Sequence, residues 1–169
     1  MRYITLVLAL GIAFSPLAWN HLKGYQKDRI AVFLNPDSDP LGAGYTIIQS
    51  KIAIGSGRLL GKGWLSGTQG QLNFLPEAHT DFIFGIVAEE IGFLGCVFLM
   101  LLYYLIIRQG FFISANCDDN FGKLLSFAIS IMLAFQVYVN ISMTMGLSPV
   151  VGVPLPLLSY GGSSMLMNF

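Results

Sequence analysis

Ile91-Gly92-Phe93-Leu94-Gly95-Cys96-Val97-Phe98-Leu99-Met100-Leu101-Leu102-Tyr103-Tyr104-Leu105-Ile106-Ile107 carries no charge over 17 residues and ends at Arg108. Extended back to Phe82, the run is interrupted only by Glu89 and Glu90. At about 1.5 Å per residue it is long enough to cross a hydrocarbon core of ~30 Å, so 81–107 reads as a transmembrane helix. Leu124 to Leu147, behind Lys123, repeats the pattern, and 124–147 is read the same way. Ile4 to Trp19 follows Arg2 and reaches only ~24 Å. Ser15-Pro16-Leu17-Ala18-Trp19 lacks a small-x-small cleavage site, so 1–20 is read as a span and not as a signal peptide. Residues 162–169 look like the start of a further helix. The expected fold class is an all-α polytopic membrane protein, a fragment of a larger helix set missing helices at both ends.

Composition agrees with that reading. Of 169 residues 54% are hydrophobic and 11% charged, with mean hydropathy +0.68, against roughly 45 to 50% and 25% in soluble domains. Nine basic residues balance nine acidic ones and no basic block occurs, which removes the electrostatic footprint of a nucleic-acid binder. Cys96 and Cys117 provide neither a disulfide framework nor metal-ligand spacing.

Residues 21–80 form a connection far longer than a usual loop, and loops of that size carry function or short elements of their own. Asn35-Pro36-Asp37-Ser38-Asp39-Pro40 is a turn cluster, and Tyr45 to Ile54 reads as a short helix at the membrane interface. Glycines recur at 55, 57, 61, 63, 67 and 70, which suits backbone folded closely on itself or approached by a ligand. A P-loop is excluded, because Ser56 and Gly63 stand where it needs glycine and Ser or Thr. Neither Ser-x-x-Lys nor a Gly-x-Ser-x-Gly elbow occurs.

Leu75-Pro76-Glu77-Ala78-His79-Thr80-Asp81-Phe82-Ile83-Phe84 places three titratable groups, Glu77, His79 and Asp81, just before an apolar helix. Asp81 has two readings. It is an N-cap for the first-turn amides, the commoner use of such an aspartate, or a general base at the membrane surface. Glu89 and Glu90 lie about 12 to 13.5 Å further along a helix, too far for a carboxylate pair flanking one glycosidic bond, and a structural role is favoured. Gln136, Asn140 and Thr144 form one polar stripe at i, i+4 spacing, read as interhelical hydrogen bonding. Pro149, Pro154 and Pro156 prevent continuous helix, so 148–161 reads as a re-entrant or interfacial loop. Its hydroxyl-rich end, with Ser159 and Ser163, either receives a polar head group or satisfies backbone groups.

Asn35 to Tyr45, Ile47 to Gly57, Gly61 to Gln69 and the proline loop together resemble the SEDS family of bacterial cell-wall polymerases. The Ile47–Gly57 stretch matches the rod-shape branch better than the cell-division branch. The resemblance implies a ten-helix bundle, of which this chain covers the seventh helix into the start of the tenth. It makes 21–80 an extracytoplasmic loop with short interfacial helices, 108–123 a cytoplasmic loop and 148–161 extracytoplasmic. A positive-inside count argues the reverse, since Lys23, Lys27, Arg29, Lys51, Arg58 and Lys62 all sit in the long loop, but a loop of about 60 residues is a weak case for that rule.

The implied function is peptidoglycan glycosyltransfer, polymerising lipid II during elongation and rod-shape maintenance in the bacterial cytoplasmic (inner) membrane. The family's essential aspartate falls on Asp81, which reverses the preference for the cap. Substrate binding is expected from Lys51, Arg58 and Lys62, as cations screening pyrophosphate, and from His79, Ser159 and Ser163. Arg58 stands where the family often has glycine. Implied partners are lipid II, a class B penicillin-binding protein, the elongation machinery and membrane lipid, with no nucleic acid. No cofactor is expected, and a divalent cation is left open. A lipid II transporter and a scaffold for the penicillin-binding protein are the alternative functions.

Overall fold

The structure is a computed structural model that describes residues 22–39, 42–68 and 80–160. The spans expected at 1–20 and 162–169 lie outside the described residues. Among the described residues four α-helices follow in order: α1 Gly24–Leu34, α2 Ala43–Ser56, α3 Ile83–Asn116 and α4 Asn120–Thr144, with a 3-10 turn at Pro36–Ser38. Among the described residues there is no strand.

The helices α3 and α4 are long and apolar enough to cross a membrane. Phe93, Phe98, Leu101, Tyr104, Phe127, Phe135 and Tyr138 leave their side chains exposed on the pair, as expected where lipid or further helices complete the covering. The two pack as an antiparallel hairpin. Small polar residues line the seam, with Ser126 Oγ donating to the Gly110 carbonyl at 3.0 Å and Ser114 Oγ to that of Lys123 at 2.9 Å. A Cβ at Gly110 would collide with the Ser130 hydroxyl, so the close approach depends on glycine there.

The helix boundaries differ from the sequence reading. Arg108 ends the apolar run but not the helix, because arginine propagates helix well and no proline follows. The helix continues to Asn116, and the expected connection 108–123 shrinks to Cys117–Asp119. Asp119 starts the next helix, its carboxylate accepting the Gly122 amide at 2.9 Å as the cap of α4. At its other end α4 closes in a Schellman turn: Gly146 takes φ 68° and the Leu147 amide bonds the Ser142 carbonyl at 2.8 Å.

A larger departure lies inside α3. Gly92 has φ 79° and ψ −167°, so the helix is two segments broken there. The break frees backbone groups that would be expensive at membrane depth, and the segment after α2 takes them up. Lys62 N–H bonds the Glu89 carbonyl at 2.9 Å and Gly63 N–H that of Glu90 at 3.0 Å. In return Phe93 N–H bonds the Arg58 carbonyl at 2.9 Å and Leu94 N–H that of Leu59 at 3.2 Å. Cβ atoms at Gly57, Gly61 and Gly92 would all overlap backbone across this junction. The glycine recurrence therefore serves backbone inserted into backbone. The core beneath it joins Phe84, Ala88, Cys96, Tyr103, Val137 and Leu155.

Candidate functional site

The first α3 segment begins at a turn over Thr80–Phe82, and two other elements hold that turn by its carbonyls. From α4, Asn140 Nδ2 donates to the Asp81 carbonyl at 2.9 Å and to the Val153 carbonyl at 2.7 Å. From the proline loop, Ser159 Oγ donates to the Thr80 carbonyl at 2.6 Å while accepting the Leu155 amide at 2.7 Å. The loop itself is fastened to α3 by Tyr103, whose hydroxyl donates to the Pro156 carbonyl at 2.6 Å. Phe82 is buried against Ile86 and Val150. Asp81 is half-buried at the rim of this assembly.

The cap reading of Asp81 is corrected by this geometry. The N-cap position of α3 is Phe82, which makes no side-chain cap hydrogen bond. The carboxylate instead lies beside the loop, where a Cβ on Gly152, whose φ is 76°, would come 3.1 Å from its Oδ2. Glycine at 152 leaves room for the carboxylate and for whatever it meets.

The candidate cations separate. Arg58 is exposed and takes φ 48°, the left-handed conformation that glycine adopts without strain. It lines a cavity of about 670 Å³ with Gly55, Ser56, Gly57, Gly61 and Lys62. It also borders an apolar groove of about 310 Å³ that includes Phe84, Phe93, Val97, Met100 and Ile141. A guanidinium between a glycine-lined cavity and an apolar groove suits an amphiphile with an anionic head. Lys51, exposed on α2, passes its Cε and Nζ across Gly146 at the end of α4, where helix carbonyls favour a cation.

Lys62 differs from the expectation that it faces pyrophosphate. Its Nζ is 2.6 Å from Glu89 Oε1, an oxygen that also accepts from Thr68 N–H at 2.9 Å and Thr68 Oγ1 at 3.0 Å. Glu89 is fully buried, so the Lys62 charge is committed to neutralising it at the helix break. Ser159 is likewise buried, with its hydroxyl engaged on both sides by the chain. That places it under the Asp81 turn and away from a head group. His79 and Ser163 lie outside the described residues.

Sequence reasoning underrated Asn140, whose partners come from two other segments. Of the polar stripe it belongs to, Thr144 bonds back to its own helix at Asn140 and Ile141, while its carbonyl receives Ser50 Oγ of α2 at 2.8 Å. Among the described residues no group of three or more His, Cys, Asp or Glu side chains is arranged to hold a metal.

Two apolar helices, one of them broken and plugged by a neighbouring loop, and a carboxylate on a pinned turn define an all-α membrane protein with a polar site at a helix end. The chain belongs to the FtsW/RodA/SpoVE family, described as cell cycle protein, which matches residues 1–169. It is 53% identical over 167 residues to the peptidoglycan glycosyltransferase MrdB of Escherichia coli, covering 98% of this chain and 45% of that one. It is 47% identical to the peptidoglycan glycosyltransferase RodA of Treponema pallidum, covering 98% and 38%. Among solved structures it resembles a chain of a peptidoglycan synthase complex that coordinates polymerization and crosslinking, with TM-score 0.73 and 36% identity over 99% of this chain and 45% of that one. It also resembles the rod shape determining protein RodA of Thermus thermophilus, with TM-score 0.53 and 39% identity over 65% and 33%. The chain spans less than half the length of these relatives.

Proposed function

We propose that the whole protein to which this chain belongs is a peptidoglycan glycosyltransferase that polymerises lipid II during cell elongation, in the bacterial cytoplasmic membrane. The observation that carries this reading is Asp81: a half-buried carboxylate on a turn whose two adjacent carbonyls are each held by a separate element. Such fixation is what a general base needs, since its efficiency depends on reach to the proton it removes.

In the reaction the 4-hydroxyl of one lipid II sugar attacks the anomeric carbon of the growing chain. The new C–O bond forms as the bond from that carbon to undecaprenyl pyrophosphate breaks, with the electron pair leaving on the pyrophosphate. Asp81 takes the hydroxyl proton. Attack opposite the leaving group inverts the anomeric centre. Pyrophosphate is a stable anion, so the step needs a base more than an acid. Arg58, between the glycine-lined cavity and the apolar groove, and Lys51 screen the pyrophosphate charge. A divalent cation taking part would be carried on the substrate's phosphates.

This chemistry puts the 21–80 segment and the proline loop on the extracytoplasmic side, with a class B penicillin-binding protein as the partner that crosslinks the product. The test is direct. Full-length protein, purified and reconstituted with lipid II, is expected to form glycan strands that a lysozyme-type muramidase digests. Transport of lipid II between leaflets with no polymer would overturn the proposal.

A further inference from the structure

Asn140 is fully buried, and its amide orientation is fixed by its neighbours. Both groups it faces, the carbonyls of Asp81 and Val153, are acceptors, so the nitrogen must point at them. Its Oδ1 is buried with no donor among the described residues. A residue there to fill space between helices would avoid that desolvation by being apolar. The amide is kept for its two donors.

Those donors tie together the two backbone segments that flank the carboxylate. One is Asp81 itself, so any drift of its carbonyl moves the side chain on the same Cα. The other is Val153, next to Gly152, the residue lying against Asp81 Oδ2. We propose that Asn140 is a positioning residue: it fixes the distance and angle between Asp81 and the 148–160 loop, so that the carboxylate faces the acceptor hydroxyl. This rests on the reading of Asp81 as the base.

The experiment uses full-length protein in liposomes with lipid II, comparing parent, Asn140→Ala, Asn140→Ser and Thr144→Val. Thr144 lies one turn on in the same helix, is equally buried, and bonds only back along α4 through its hydroxyl, so its variant measures the loss of a buried polar group that does not hold the Asp81 turn. Rates are expressed per folded enzyme. Asn140→Ala is expected to lower kcat at least tenfold with KM for lipid II within twofold, and to move the acid-side midpoint of the pH–rate profile by half a unit or more. Asn140→Ser, keeping one donor, is expected to lose three- to tenfold with a smaller movement in the same direction. Thr144→Val is expected to stay within twofold with its midpoint in place. A reduced folded fraction scales the whole profile and cannot move its midpoint.

The proposal is overturned if Asn140→Ala keeps more than a tenth of the parental rate, or if its midpoint stays in place. If Asn140→Ala does not accumulate, Asn140→Ser decides by the same two measurements, and parental rate or midpoint overturns the proposal. Asp81→Asn run in parallel separates the two readings. If Asp81→Asn is inactive while Asn140→Ala is active, only the positioning role fails. If Asp81→Asn is active, the base assignment fails first.

Discussion

Replacing Lys62 by Met should damage the protein more than replacing Glu89 by Gln, although both remove the same ion pair. The asymmetry comes from burial: the Glu89 side chain is 0% exposed and that of Lys62 31%. Without Lys62 the buried carboxylate at the helix break loses the ion-pair partner on its Oε1, where the Thr68 amide and hydroxyl remain. Breaking one side of a fully buried pair costs about 3–5 kcal/mol. The partial exposure of Lys62 and the remaining Thr68 bonds reduce this to about 2–3 kcal/mol. In Glu89→Gln the new amide still offers a carbonyl oxygen to Thr68, and Lys62 swings toward solvent, for a loss of about 1 kcal/mol. The double variant Lys62→Met, Glu89→Gln should therefore resemble Glu89→Gln alone, since the carboxylate charge that Lys62 balances is then absent. At about 2–4 °C per kcal/mol for a domain of this size, thermal unfolding in detergent should fall by about 5–10 °C for Lys62→Met and by about 2–4 °C for the other two. Equal losses for the two single variants, or a double variant losing their sum, would be incompatible with a buried charge that Lys62 balances.

Gly92→Ala should be among the most destabilising single substitutions, because φ is 79° and the added Cβ meets the backbone of the Leu59–Gly61 segment. Unfolding should fall by about 3 kcal/mol or more, while Gly55→Ala, with open space at its Cβ, should be neutral or stabilising. A reporter cysteine at exposed Ser66, in a background lacking Cys96 and Cys117, should react with an impermeant thiol reagent in spheroplasts, and one at exposed Asp118 should not. The reverse pattern would invert the topology. Arg58→Gln should lower the polymerisation rate more than Arg58→Lys if the guanidinium screens pyrophosphate, and Lys51→Gln more than Lys51→Arg; a loss under about twofold in both Gln variants would assign them to the solvated surface.

The two apolar helices were legible because hydrocarbon length and composition constrain each residue of a span independently. Their ends were not, since Arg108 changes the polarity of the run without interrupting hydrogen bonding, and α3 runs on to Asn116. The break at Gly92 was hidden for a different reason. Glycine in an apolar run is common in membrane helices, and the segment that repairs the break, Arg58–Gly63, is far away in sequence. The recurrent glycines there signalled a close approach but not its target. Asp81 was legible as a group before a helix, yet its place one residue ahead of the N-cap Phe82, with Asn140 from 59 residues away on its carbonyl, was not. Lys62 looked like a cation for a ligand because its buried partner sits 27 residues on.

Whether Asp81 removes the acceptor proton is decided by single-turnover polymerisation of lipid II with full-length Asp81→Asn, purified to the same folded fraction as the parent and matched in lipid II binding. An amide of the same size preserves the turn, its bonds to Asn140 and Ser159, and the space beside Gly152, while removing the base. Binding should be unchanged. The polymerisation rate should fall by at least 10²-fold, about the lower range for loss of a general base. Polymer formed by Asp81→Asn at a rate within about tenfold of the parent would remove Asp81 from the chemistry.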